Sequence, residues 1–146
     1  MKKTLAVASD HAGYLMKLGL IKYLEKKGYE LKDFGTDSTD AVNYPDFGHP
    51  LARAVESGEY AMGISLCGSG NGINMVTNKH QEIRGALCWN AEIARLARLH
   101  NDANICSIPA RFIDEEMAIE IVKAFLETAY EGGRHDIRIK NIPIRQ

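Results

Sequence analysis

The stretch "GISLCGSGNGINM" (residues 63–75) combines a thiol with a glycine-rich loop. Cys67 follows an apolar run, and Gly68, Gly70 and Gly72 come next at intervals of two. Because glycine has no Cβ, backbone N–H groups in such a loop can approach a ligand closely, and the helix that follows adds partial positive charge at its N-terminus. The pattern predicts a loop that holds a phosphate or a developing oxyanion beside a thiol.

The glycine spacing differs from that of known nucleotide loops. The dinucleotide fingerprint is G-x-G-x-x-G, whereas position 73 is Ile73, and no G-K-[ST] sequence follows. A non-catalytic phosphate- or nucleotide-binding module is therefore an alternative that the spacing disfavours. The loop N–H groups favour the thiolate form of Cys67, which could act as nucleophile or base. A small buried residue at a strand end is the competing interpretation, and the absence of a second cysteine nearby weighs against a redox protein.

Other polar residues also stand where chemistry is possible. Asp10 and His11 end the first apolar run, where a helix N-cap beside a partly exposed histidine is an equally good interpretation. His100 closes a predicted helix, where it could simply cap the C-terminus. Arg134 and Arg138 are four residues apart, so in a helix they would share one face and could clamp a phosphate, although a solvated basic face fits the same spacing.

The remaining histidines are predicted to be structural or exposed, and the other two cysteines to be structural. His49, His80 and His135 have no zinc-ligand spacing with a supporting cysteine, and Cys88 and Cys106 lie inside predicted strands. We therefore predict no metal site and no cofactor.

Short β-rich runs alternate with longer helical segments and set the expected fold. Predicted strands cover residues 4–9, 29–34, 60–66, 83–89 and 103–108; predicted helices cover 13–28, 46–58, 71–79, 91–99 and 114–130, and residues 131–142 form a short helix or ordered tail. This alternation predicts an α/β fold, a three-layer α/β/α sandwich with a Rossmann-like open sheet of about five parallel strands and a C-terminal helical tail. Ligands in such a sheet gather at the carboxyl ends of the strands.

Helical apolar stripes predict which side chains form the core. Leu15, Leu18, Ile21 and Leu24 recur at helical spacing in the first helix and are expected to be buried together. In the other stripes, Met16, Met117 and Phe125 are also expected in the core.

Composition limits the class of protein. The 146 residues suit one domain spanning residues 1–146, with 45% apolar and 25% charged residues and a net charge of -1. Neither nucleic acid nor a membrane surface is an expected partner. The apolar run after the first lysines ends at Ser9, too early for a secretory signal, and no stretch approaches the roughly 20 apolar residues of a membrane span. The expected location is the cytoplasm.

Several short motifs in one order identify a family. With "SDHAG", "NYPDFG", "CGSGNGI", "ARLHNDANI" and "YEGGRHDIR" in sequence, the chain resembles the type B ribose-5-phosphate isomerases, within a broader family that includes the galactose-6-phosphate isomerase subunits. The resemblance runs nearly end to end. It implies an aldose–ketose isomerase that interconverts ribose 5-phosphate and ribulose 5-phosphate, with a hexose 6-phosphate (allose or galactose 6-phosphate) as the alternative substrate.

The resemblance also implies roles for particular residues. Cys67 would be the base that transfers the proton, Ser69 and the N–H groups of residues 68–72 would hold the oxyanion, and His100 would be the acid that opens the sugar ring. The implied substrate and phosphate ligands are Asp10, His11, Tyr44, Gly68, Ser69, Gly70, Asn71, Gly72, Asn101, Arg111, Arg134 and Arg138. No metal or cofactor is implied.

Two departures from the family pattern bear on mechanism. Many relatives carry threonine where this chain has Ser69, and the hydroxyl is retained. A second branch lacks the cysteine and uses a glutamate on the following helix, whereas this chain has Cys67 and reads "GINMV" there, with Asn74 and no acid. The presence of Cys67 together with the absence of that glutamate favours the thiolate mechanism and disfavours the galactose-6-phosphate isomerase subunit that lacks the cysteine.

Assembly is a further implication of the resemblance. Family members are homodimers or dimers of dimers whose active sites lie between subunits. The basic tail "GGRHDIR" would then reach over a neighbouring subunit.

Overall fold

Strands and helices alternate along the chain in the computed structural model, which describes residues 3–144. In chain order the elements are β1 (Lys3–Ser9), α1 (Tyr14–Lys26), β2 (Tyr29–Asp33), α2 (Pro45–Glu56), β3 (Gly63–Cys67), α3 (Asn71–Thr77), β4 (Gly85–Leu87), α4 (Ala91–Asn101), β5 (Ile105–Pro109), α5 (Glu115–Glu127), a 3-10 turn (Gly133–His135) and α6 (Asp136–Lys140). The expected short helix near the C-terminus is confirmed.

The strands form one five-stranded sheet in the order β2-β1-β3-β5-β4. Every pairing is parallel, with β3 in the centre between β1 and β5. Parallel neighbours need crossover connections, and a helix lies in each of them. The predicted α/β fold with an open parallel sheet is confirmed.

Alternating side chains of the strands separate two apolar layers. Leu5 and Val7 of β1 pack with residues of α1, α4 and α5, whereas Ala6 and Ala8 pack with residues of α2. In β3, a Cβ on Gly63 would lie within 3.3 Å of Leu51 and Val55 of α2. Because strand side chains alternate, every second residue from Gly63 onward, including Cys67, points to this α2 layer.

The buried face of α1 differs from the one that the sequence predicts. Leu24 is buried as expected, but Leu15 is 68% exposed and Leu18 is 43% exposed. The buried stripe instead includes Lys17, whose ammonium donates to Asp33 at 2.8 Å and to the carbonyl of Thr36. A lysine with two acceptors can be buried, so the helix is rotated relative to its leucine pattern.

The shortest strand is also shorter than predicted. Residues 83–89 were expected to be extended, yet β4 covers only Gly85–Leu87. Before the strand, the main-chain N–H of Arg84 donates to Oδ1 of Asn104 at 2.8 Å, and Cys88 follows the strand.

Among residues 3–144, no helix is long and apolar enough to cross a membrane.

Candidate active site

The carboxyl end of β1 brings Asp10 beside β3. The N–H of Asp10 donates to the carbonyl of Leu66 at 3.1 Å, and its carboxylate accepts from the N–H of Gly13 at 3.1 Å, which closes the turn into α1. A Cβ on Gly13 would lie 2.6 Å from Cβ of Leu66, so only glycine allows this approach. Asp10 therefore closes the turn before α1, as the N-cap interpretation predicts. It also lies at the end of the strand next to that of Cys67.

Cys67 is the last residue of the central strand, and its side chain is 5% exposed. The glycine loop follows at once and leads into α3. Gly70 has φ +77°, and a Cβ there would lie 2.5 Å from Leu87 and 3.2 Å from the main chain of Ile108. Ser69 Oγ accepts from the N–H of Asn71 at 3.3 Å. Close packing of Gly70 against Leu87 and Ile108 thus fixes the path of the loop where it leads into α3.

Two side chains enclose the loop. A Cβ on Gly68 would lie 3.3 Å from Nη1 of Arg111, and a Cβ on Gly72 would lie 2.5 Å from the ring of Tyr44. The N–H of Arg111 also donates to the carbonyl of Gly68 at 2.9 Å. The loop therefore lies between the guanidinium group of Arg111 and the phenol ring of Tyr44, two residues that the resemblance implies as substrate ligands.

His11 is held by the connection between β2 and α2. Its Nδ1 accepts from the N–H of Val42 at 3.2 Å. An imidazole that accepts through Nδ1 carries its proton on Nε2. His11 is therefore presented as a hydrogen-bond donor, a form suited to a phosphate or hydroxyl oxygen.

The other predicted site residues lie at the opposite edge of the sheet. His100 and Asn101 end α4, and the next residues run along the amino ends of the strands, where Gly63 N–H donates to the carbonyl of Asn104 at 2.9 Å. A strand of five residues spans roughly 13 Å at about 3.3 Å per residue. Within one chain the structure therefore does not bring His100 to Cys67.

The C-terminal tail attaches to this second edge. The N–H of Glu131 donates to the carbonyl of Leu99 at 3.0 Å, next to His100. Arg134 lies 3.5 Å from a carboxylate oxygen of Glu131, and its side chain is 65% exposed. Arg138 is exposed in α6. The predicted phosphate ligands thus share the edge of His100, although Arg134 belongs to the 3-10 turn and not to the helix.

His100, Glu131 and His135 form a cluster that the sequence did not indicate. Their ligand atoms lie within 4.8 Å of one another, so by residue type they could hold a metal ion. The two imidazole rings are stacked, however, with centroids 4.5 Å apart and planes 20° from parallel. Nitrogen lone pairs lie in the ring plane and here run side by side, so they do not converge on one ion. The arrangement suits a shared carboxylate better than a metal.

His135 was predicted to be structural or exposed, and it is 6% exposed. Its Nε2 has no hydrogen-bond partner among the described residues. The four-residue interval between Glu131 and His135 was the only available signal in the sequence, because their approach to His100 depends on the tail packing against α4.

The other two cysteines are buried, as predicted. A hydrogen bond with Cys88 and burial raise the pKa of Cys106 well above its ordinary value. Such a thiol stays protonated and unreactive at neutral pH. Of the three cysteines, Cys67 alone adjoins the glycine loop.

Comparison with known proteins finds relatives that match the chain over nearly its full length. The model of the ribose/galactose isomerase family matches residues 5–142. Ribose-5-phosphate isomerase B of Escherichia coli is 39% identical over 140 residues, covering 96% of this chain and 94% of that protein. A ribose 5-phosphate isomerase structure from Thermotoga maritima has a TM-score of 0.95 at 43% identity, covering 98% of this chain and 99% of that one.

A third relative was solved with a sugar phosphate. The structure of ribose-5-phosphate isomerase B from Mycoplasma genitalium with bound ribulose-5-phosphate has a TM-score of 0.93 at 36% identity, and the match covers 97% of this chain and 95% of that one. Since the family model and these relatives match almost the full length, the chain belongs to the ribose/galactose isomerase family.

Proposed function

We propose that this protein interconverts D-ribose 5-phosphate and D-ribulose 5-phosphate. The observation that carries the proposal is Cys67, which ends the central strand beside a loop of N–H groups, between Tyr44 and Arg111. The Escherichia coli relative named for this reaction and the Mycoplasma genitalium structure with bound ribulose-5-phosphate support the choice of sugar.

The chemistry is a proton transfer between neighbouring carbons. The Cys67 thiolate removes the proton from C2 of the open-chain aldose, and the electron pair moves onto the carbonyl oxygen to form an enediolate. The N–H groups of residues 68–72 and the Ser69 hydroxyl stabilise that oxygen. The thiol then returns the proton to C1, while the proton of the C2 hydroxyl moves to the oxygen at C1 and the oxygen at C2 becomes the carbonyl. Atoms and electrons balance within the substrate.

The complete site requires a second copy of the chain. His100, Asn101, Arg134 and Arg138 are too far from Cys67 within one chain, and the resemblance implies sites between subunits. We infer a homodimer, or a tetramer built from such dimers, in which His100 of the partner subunit opens the sugar ring. Asn101 and the two arginines would bind the rest of the substrate, and Asp10 and His11 would contact it from the first subunit.

A hexose 6-phosphate remains the second candidate, because the same proton transfer applies to a longer sugar. A coupled assay should compare kcat/KM on ribose 5-phosphate, allose 6-phosphate and galactose 6-phosphate. We expect the pentose to be preferred, and a strong preference for either hexose would contradict the proposal.

The role of the thiol is tested with Cys67→Ala in the same assay. Turnover should fall by several orders of magnitude while the circular dichroism spectrum stays unchanged, since the alanine removes the base and little volume. Cys88→Ala is the matched control, because it makes the same change at a buried cysteine away from the loop. Near-normal turnover of Cys67→Ala would mean that another group is the base.

A further inference from the structure

The tail residues around His100 form an ordered support. Glu131 Oε2 lies 3.7 Å from Nε2 of His100 and 3.7 Å from Nε2 of His135, while the His135 ring stacks on His100. We propose that Glu131 and His135 are positioning residues that hold the His100 imidazole in the orientation in which it protonates the sugar ring oxygen. The proposal rests on the proposed function, because it deepens the role of His100 in that reaction.

The contacts restrain His100 from two directions. The His100 side chain is 36% exposed and ends a helix, so its own element leaves the ring free to turn. Stacking against the buried face of His135 fixes the ring plane, and the carboxylate of Glu131 fixes the rotation that brings Nε2 toward it.

The support itself is built by the main chain. Glu131 is tied to the end of α4 through the carbonyl of Leu99 at 3.0 Å. Gly132 then adopts φ +75° and ψ -150°, a conformation suited to glycine, and the chain turns so that His135 returns over His100. Tyr130 donates to Asp136 at 2.6 Å and closes this turn. The cluster therefore does not rest on chance contacts between mobile side chains.

Burial of His135 argues against simple packing. A ring nitrogen without a hydrogen-bond partner in a buried site costs free energy, and an apolar ring would fill the same space without that cost. The presence of an imidazole at position 135 is explained if its Nε2 shares the Glu131 carboxylate with His100 when substrate is bound.

Ring opening can be measured apart from proton transfer at carbon. The aldose closes through its C4 oxygen, whereas the ketose cannot form a five-membered ring because its C5 oxygen carries the phosphate. Exchange of a C1 hydrogen of ribulose 5-phosphate with deuterium from D2O therefore needs Cys67 and the glycine loop but no ring opening. Turnover of ribose 5-phosphate needs both.

The experiment uses the full chain and the variants Glu131→Gln, His135→Leu and His135→Phe, with Glu127→Gln as control. We expect Glu131→Gln and His135→Leu to lower kcat on ribose 5-phosphate roughly 10- to 100-fold through misorientation of the acid. Deuterium exchange into ribulose 5-phosphate, followed by NMR, should stay within about twofold of wild type in both. His135→Phe keeps the stacked ring but cannot share the carboxylate, so it should recover only part of the turnover that His135→Leu loses, and Glu127→Gln should change neither rate.

Equal losses of turnover and exchange in His135→Leu would overturn the proposal, because a general disturbance of the site lowers both rates. Unchanged turnover in Glu131→Gln would overturn it as well, and this variant is at a surface position, so it tests the idea even if His135→Leu fails to fold. Glu131 also contacts Arg134, and any resulting change in phosphate affinity appears in KM and not in kcat. A wild-type protein that shows neither rate would instead refute the proposed function.

Discussion

The two edges of the sheet hold their functional groups in different ways. At the carboxyl edge, Cys67 is buried at the end of the central strand, and the groups that we propose for anion binding are main-chain N–H groups of a closely packed loop. At the amino edge, the exposed guanidinium of Arg134 and the imidazoles of His100 and His135 lie 3.5 to 3.7 Å from one carboxylate. The first edge is organised by the fold of a single chain, whereas we propose that the second is completed by another subunit.

This difference follows from the strength of the restraints. β3 lies between two parallel neighbours, so a shift of Cys67 would disturb the centre of the core. Exposed ion pairs contribute only about 0 to 1 kcal/mol each, so the contact with Glu131 by itself gives the exposed Arg134 side chain little restraint. We expect changes at the carboxyl edge to affect chemistry within one chain, and changes at the amino edge to affect the active site of the partner.

Mixed dimers test the division most strongly. Cys67→Ala and His100→Ala should each be nearly inactive, the second by about 10²- to 10⁴-fold as expected for loss of a general acid. Co-expression of the two chains should restore about a quarter of wild-type activity, because half of randomly formed dimers are mixed and each holds one intact site of two. Absence of any recovery in purified mixed dimers would show that Cys67 and His100 act within the same chain.

Gly70→Ala tests the fixed loop at the carboxyl edge. The new Cβ would collide with Leu87 and the main chain of Ile108, and residue 70 has a positive φ that alanine disfavours. The loop must therefore shift, and its N–H groups would no longer point at the oxyanion. We expect kcat to fall about 10²- to 10³-fold, as when an oxyanion donor is lost. Gly58→Ala is the matched control, with φ +83° and open space around the Cβ, and it should leave kcat unchanged. A normal kcat in Gly70→Ala would show that the loop geometry is not needed.

Leu24→Ala tests a core position, where we expect an effect on stability and not on catalysis. Leu24 is fully buried in α1, so its truncation should cost about 2 to 5 kcal/mol in the free energy of unfolding, measured with urea, without a change in KM. Leu15→Ala, in the same helix but exposed, should cost less than about 0.5 kcal/mol. Similar losses for both variants would contradict the observed rotation of the helix.

That rotation shows where the sequence was sufficient and where it was not. The order of strands and helices depends on local periodicity and turn residues, and it was predicted correctly. The buried face of α1 depends on Lys17, whose burial is compensated by Asp33 and Thr36 from a different part of the chain. No pattern within the helix itself records those partners.

The site shows the same limit. The proximity of Asp10 and Cys67 followed from the expected topology, because both stand at carboxyl ends of adjacent parallel strands. The cluster of His100 with Glu131 and His135 depends on how the tail packs against α4, which spacing does not indicate. The wide separation of His100 from Cys67 also needed the structure, since it follows from the direction in which α4 runs.

Arginine substitutions test the exposed side chains of the amino edge. Arg134→Ala or Arg138→Ala should weaken binding of the phosphorylated substrate by roughly 1.5 to 3 kcal/mol for each lost charge-assisted hydrogen bond, seen as a higher KM. The melting temperature should hardly change, because both side chains are exposed. Arg95→Ala removes another exposed arginine of the same protein and should leave KM unchanged. An unaltered KM in both tail variants would remove these arginines from the substrate site.

The smallest expected effect is the acid sensitivity of His80, which also lies at the amino edge. Its Nε2 bonds to Nδ1 of His49 at 2.8 Å, and burial lowers the pKa of His80 below 6.5, although Glu56 opposes the shift. Because the unfolded chain binds this proton more readily, stability contributed by the neutral ring is present above pH 6.5 and is lost as pH falls below it. His80→Gln should therefore lose less melting temperature than wild type between about pH 7.5 and pH 5.5, as measured by differential scanning fluorimetry. An equal decrease in melting temperature in the two proteins would show that protonation of His80 does not contribute to the acid sensitivity of the fold.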